Sequence, residues 1–331
     1  MKWEGKKQTD DFEDRTGDSS KSGSEIDLTD IIGGLTNSKS SGSTNGGLGI
    51  GKSGGLVGII IVVILGLLGI GGGTGGLGDI LGSLTGQAPQ TTQRVTTMGD
   101  STDTRKAFSR TVFQMLEDYW SSEAKDYHIT YNNPTLLIYS GSVQTPFGTA
   151  TKDMGPFYSP SDEKIYLDTS FQDEVATSYG GSKGDYTMAY VLAHEFGHHI
   201  QNEIGLSQAM GRLQQQLSTA EYNKYSVCLE LQADYLAGVW TKHLAETDDG
   251  GTPVLEKGDV DEALQTAAAI GDDTLQKKFN NGRVNPESFT HGTSADRQKY
   301  FELGYKYGDL EHSDVFADKG LKNPIGQMPA K

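Results

Sequence analysis

The run Tyr190-Val191-Leu192-Ala193-His194-Glu195-Phe196-Gly197-His198-His199-Ile200-Gln201 decides how the rest of the chain is read. An apolar lead-in and the absence of proline predict a helix. At 3.6 residues per turn, His194 and His198 leave the same face one turn apart and can share one tetrahedral metal ion. Glu195 lies beside them, placed to take a proton from a metal-acidified water and pass it to a leaving amine. A helix that merely carries surface histidines fits the apolar lead-in poorly. His199 is rotated by about 100° from His198 and cannot easily join the same ion. That leaves it either supporting the site from behind or facing solvent. Glycine in mid-helix costs about 1 kcal/mol relative to alanine, so Gly197 marks a place of close packing, with a second helix as the natural neighbour.

A hydrolytic zinc site needs a third protein ligand and an open position for water. The metzincin pattern would put Gly and His at positions occupied by Gln201 and Ile204, so that subclass fails. The next source is the helical stretch Leu229-Glu230-Leu231-Gln232-Ala233-Asp234-Tyr235. Glu230 can complete a two-His, one-carboxylate set of the gluzincin type. Asp234, one turn on, can accept a hydrogen bond from a ligating imidazole and fix its orientation. The competing reading has both carboxylates only solvating a helix face. Cys228 points away from the ligand face and reads as a small core residue.

Composition limits the alternatives. The 331 residues carry 28 Lys and Arg against 44 Asp and Glu, a formal charge of −16, which excludes a nucleic-acid partner that would need a basic face. With one cysteine there is no internal disulfide, zinc ribbon or iron–sulfur cluster, so a metal must rest on His, Asp or Glu.

Residues 1–53 are polar and rich in Ser and Gly, and are expected to be mostly disordered because they offer too little apolar surface to offset their ordering entropy. No charged residue separates Lys52 from Asp79, and the apolar centre spans residues 56–70. Extended through its flanking glycines to 54–75, it reaches the roughly 20 residues that a membrane-crossing helix needs. Its distance from the amino terminus argues for an uncleaved anchor rather than a signal peptide. Lys39 and Lys52 precede the run and no basic residue follows until Arg94. The expected topology is therefore single-pass, with the amino terminus cytoplasmic and the later domain outside. Residues 76–100 read as a Gly/Thr/Gln-rich tether.

From residue 101 to 331 the composition is that of a folded domain. Phe108, Val112, Phe113, Leu116, Tyr119 and Trp120 recur at helical spacing and should face a core. Two β-like runs follow at 135–139 and 164–168, and beyond Asp185 nearly everything reads as helix. The expected class is α+β, mainly helical.

Several segments together resemble a bacterial family of predicted neutral zinc metallopeptidases, typically single-pass membrane proteins. They are Lys2-Trp3-Glu4-Gly5, Asp11-Phe12-Glu13-Asp14-Arg15, Gly155-Pro156-Phe157-Tyr158, the histidine run, Glu230-Leu231-Gln232-Ala233-Asp234, Ala267-Ala268-Ala269-Ile270-Gly271-Asp272-Asp273 and Ser288-Phe289-Thr290-His291-Gly292-Thr293-Ser294-Ala295. The resemblance implies a zincin-like domain with His194, His198 and Glu230 on Zn2+, Glu195 as general base and Asp234 orienting a ligand. It also implies a transition-state role for His291, with a structural histidine in a loop that caps the next helix through Thr290 or Thr293 as the alternative. Ser159 and Tyr235 stand where many members are expected to carry cysteine, and Asp296 where Gln is expected, so no disulfide carries over.

Two functional classes follow. One is a membrane-anchored zinc endopeptidase acting on a peptide or protein, with a strand near 135–148 or 164–168 holding extended substrate. The other is a non-catalytic binding or scaffold protein on the same fold. An intact Glu195 and an open coordination position separate the two.

Overall fold

The computed structural model describes residues 1–18, 102–248 and 253–331. The expected membrane span at 54–75, the tether at 76–100 and most of the polar amino-terminal stretch lie outside them. Among the described residues, no helix is long and apolar enough to cross a membrane.

A four-stranded sheet and a set of helices share one core, so the class is α+β and mainly helical. The strands are β1 (Phe12–Arg15), β2 (Thr135–Tyr139), β3 (Ser142–Thr145), β4 (Gly148–Thr151), β5 (Phe157–Ser159) and β6 (Lys164–Asp168). The sheet order is β1-β2-β6-β5, while β3 and β4 form a separate antiparallel hairpin. β1, β2 and β6 are mutually parallel, and β5 runs antiparallel to β6 at one edge. Alternation along the strands separates two apolar layers. Leu136, Ile138, Ile165 and Leu167 enter the main core, whereas Leu137, Tyr139 and Tyr166 pack with Ala150, Met154 and Phe157 on the other face.

The first long helix, α1 (Thr102–Asp126), buries all six of its expected core residues, Phe108, Val112, Phe113, Leu116, Tyr119 and Trp120. After a short α2 (Phe171–Glu174) comes α3 (Tyr186–Glu203), buried from Tyr186 to Asn202. A helix buried all round needs neighbours on every side. These come from α1, strand β5, α4 (Leu206–Gln214), α5 (Thr219–Glu246) and α6 (Asp259–Ala269). A capping box of Ser218 and Glu221 starts α5. The chain closes with α7 (Asp272–Phe279), α8 (Ser294–Tyr307) and α9 (Val315–Asp318).

Glycine sets the distance between α3 and α5. A Cβ at Gly197 would lie 3.2 Å from the Ala233 Cα and carbonyl oxygen, so its absence brings the histidine helix against the carboxylate helix.

The amino-terminal residues depart from the sequence reading. Residues 1–18, expected to be disordered with the rest of 1–53, are part of the fold. β1 pairs with β2 from Phe12–Leu136 through Arg15–Tyr139, and the Trp3 ring meets Phe108 edge-on at 5.3 Å. Composition averaged over fifty residues hides such a segment, because a strand that joins an existing sheet needs no core of its own.

Candidate active site

The two central helices bring the donors together. α3 presents His194 and His198, and α5 presents Glu230 directly opposite. His194 Nε2 lies 3.2 Å from Glu230 Oε2, and His198 Nε2 lies 3.5 Å from Glu230 Oε1. The three residues are buried, and one ligand atom from each falls within 4.8 Å of the others. Glu230 therefore faces the imidazoles rather than solvating a helix surface.

What lies behind each imidazole decides which nitrogen is free. Asp234 Oδ1 is 2.8 Å from His194 Nδ1, and Gln201 Oε1 is 2.8 Å from His198 Nδ1. Both acceptors require a protonated Nδ1, which leaves both Nε2 lone pairs directed at the Glu230 side. This donor set, two imidazole nitrogens and one carboxylate with their far sides already bonded, fits Zn2+.

The supporting partners are themselves held. Asp234 accepts from the Tyr190 hydroxyl at 2.6 Å and from Arg297 Nε at 2.8 Å and Nη2 at 3.0 Å. Burial works to raise the Asp234 pKa, but Arg297 and His194 hold it down at about 2. Gln201 donates its amide to the Leu229 carbonyl at 2.7 Å and to Gln232 Oε1 at 3.0 Å, joining α3 to α5.

Glu195 takes a different position. Its Oε2 accepts a 2.8 Å hydrogen bond from the Tyr158 backbone N–H on edge strand β5. Burial raises its carboxyl pKa, with His198 and His194 pulling the other way.

His199 is fully buried and faces away from the metal ligands, so the solvent-facing alternative does not hold. Its Nε2 donates to the Asn132 carbonyl at 2.7 Å, and its Nδ1 accepts from the Tyr158 hydroxyl at 3.0 Å. Burial pushes its pKa down to about 4, so the ring is neutral and ties α3 to β5.

His291 reaches the site from the loop before α8. Its Nε2 stands 4.0 Å from Glu230 Oε2 and its Nδ1 3.4 Å from Asp272 Oδ1. Asp272 Oδ2 accepts the backbone N–H groups of Thr290 at 2.7 Å, His291 at 2.7 Å and Gly292 at 2.9 Å. One carboxylate oxygen thus fixes the loop, and the other lies against the ring. The cap of α8 is made by the Thr293 hydroxyl, which accepts from the Asp296 N–H, as the structural alternative for this loop expected, while the His291 ring itself lines the cavity. Cys228 is buried away from the ligands, and burial pushes its thiol up to about 12.

A cavity of about 110 Å³ opens onto Glu195, the three ligands, His291 and Arg297. Its remaining wall is largely apolar, with Met154, Phe171, Tyr179, Val191, Ile270 and Leu275 contributing.

Sequence reasoning missed the support roles of Asp272, Arg297, Tyr190, Gln201 and Tyr158. All but Arg297 stood inside quoted segments, but no spacing rule connects Asp272 and Tyr158 to residues 19 and 37 positions away.

Comparison with known proteins agrees with this geometry. The uncharacterized protein YpfJ of Escherichia coli K12 is 40% identical over 238 residues, 72% of this chain and 80% of its own length. The uncharacterized protein Rv2575 of Mycobacterium tuberculosis H37Rv is 42% identical over 196 residues, 58% of this chain and 65% of its own. Mb2605 of Mycobacterium bovis, also uncharacterized, matches to the same extent. No solved structure is a significant match. The family model described as "putative neutral zinc metallopeptidase" matches residues 1–316, which implies Zn2+ as cofactor, and the chain belongs to that family.

Proposed function

We propose that the protein is a zinc-dependent endopeptidase. The observation that carries this reading is the convergence of His194, His198 and Glu230 with a second carboxylate, Glu195, facing the same cavity. A closed structural site would use all its neighbours as ligands and has no need of a general base. Zn2+ held there would supply a Lewis acid and lower the pKa of a water to near neutrality.

The chain's own residues do the rest. Glu195 accepts the proton of the attacking water and later delivers it to the leaving amine, while its bond to the Tyr158 N–H keeps the carboxylate directed at the cavity. His291, held by Asp272, stands where it can donate to the oxyanion that forms from the peptide carbonyl. β2 and β6 lie inside the sheet, so extended substrate meets the site at the segment that leads into edge strand β5, Met154 to Pro156 on the cavity wall, rather than along 135–139 or 164–168. The apolar wall receives a large apolar side chain next to the cleaved bond. The expected apolar run at 56–70 is the feature that would bring the protein to a membrane surface.

The test is metal content and cleavage of an unbiased peptide library by the full chain and by Glu195→Gln. Zinc in both, cleavage only by the unmodified chain, and large apolar residues beside the cut are expected. Zinc in both without cleavage by either would favour a binding protein instead.

A further inference from the structure

The sheet constrains how the chain can sit at a membrane. β1 precedes the apolar run at 56–70 and β2 follows it, yet the two are hydrogen-bonded neighbours in one parallel sheet. More than the strand crosses between these segments. The Thr9 hydroxyl donates to the buried Glu117 at 3.0 Å, and the Thr9 carbonyl accepts from Arg110 at 2.8 Å. Lys106 pairs with Asp14 at 2.7 Å, and Lys164 pairs with Glu13. The ammonium of Met1 lies 3.1 Å from both Asp185 at the start of α3 and Asp259 at the start of α6.

We infer that residues 1–18 and residues 102–331 occupy one compartment, and that the apolar run between them does not traverse the membrane. A single crossing would put β1 and β2 on opposite sides of a bilayer. It would leave β2 an open edge and strand Asp185 and Asp259 as buried carboxylates facing each other without that cation. A return crossing is also out of reach. Only 26 residues separate Lys52 from Asp79, whereas two helical spans need about 40 apolar residues. This inference stands against the single-pass topology expected from Lys39 and Lys52, with the amino terminus cytoplasmic and the later domain outside. Flanking charge reports orientation only for a segment that crosses.

The experiment uses the full chain with one added cysteine at either of two exposed positions, Lys7→Cys or Ala317→Cys. The native Cys228 is buried and serves as the background. A membrane-impermeant maleimide is applied to intact spheroplasts and to detergent-opened ones, with the denatured variants as the reference for full labelling. The same outcome at both positions in intact spheroplasts, labelled or protected together, is expected. Labelling of one with protection of the other would overturn the inference, and Glu4→Cys repeats the amino-terminal reading at a second site. The result does not depend on peptidase activity.

Discussion

Gln201 binds both halves of the metal site, accepting a hydrogen bond from His198 Nδ1 at 2.8 Å while donating to the Leu229 carbonyl at 2.7 Å on the opposite helix. The side chain fixes the His198 tautomer and also fixes the separation of α3 from α5. Partners of this kind typically contribute about 10- to 100-fold in metal affinity. Gln201→Ala is therefore expected to lower zinc affinity by about that factor, measured by competition with a chromophoric chelator. Gln201→Glu keeps an acceptor for Nδ1 but loses the donor to the Leu229 carbonyl and Gln232, so it should recover only part of the loss. Equal affinity in all three proteins would mean that packing alone orients His198.

Asp272 reaches the site only through His291. If His291 meets the developing oxyanion, His291→Ala should reduce kcat by about 10²- to 10³-fold with zinc content unchanged. Asp272→Asn should lower kcat in the same direction by a smaller factor and leave KM nearly constant, because the ring is misaligned rather than removed. A rise in KM at constant kcat would assign the pair to ground-state binding instead.

The contact between Thr9 and Glu117 gives the amino-terminal segment a signature in pH. Burial raises the Glu117 pKa from its ordinary 4.5 to about 8, opposed by the Thr9 hydroxyl. Between those two values the native state holds a proton that the unfolded chain has released, so stability falls as pH rises through that window. Glu117→Gln removes this dependence. Denaturant midpoints should differ little at pH 4.5 and diverge by pH 8, with the variant the more stable; parallel curves would show that Glu117 titrates normally.

Much of the site was legible because helical spacing is a local property. His194 and His198 share a face, Glu195 adjoins it, and Asp234 lies one turn beyond Glu230, so each half could be drawn from its own segment. Gly197 even announced the close approach of the other half, which proved to be Ala233. The α+β order and the two strands at 135–139 and 164–168 followed from periodicity in the same way.

The remainder depended on contacts between segments distant in the chain. Asp272 beneath His291, Arg297 beneath Asp234 and Tyr158 against Glu195 are met only once the helices and the β5 edge are assembled. The amino-terminal strand shows the division most clearly. By itself it is a short polar stretch that cannot bury enough surface to order, and the sequence determined no more than that. The tertiary structure supplies β2 as a template, an apolar seat beside Phe108, and carboxylates that receive the Met1 ammonium. Order there comes from the surface the rest of the chain has already built.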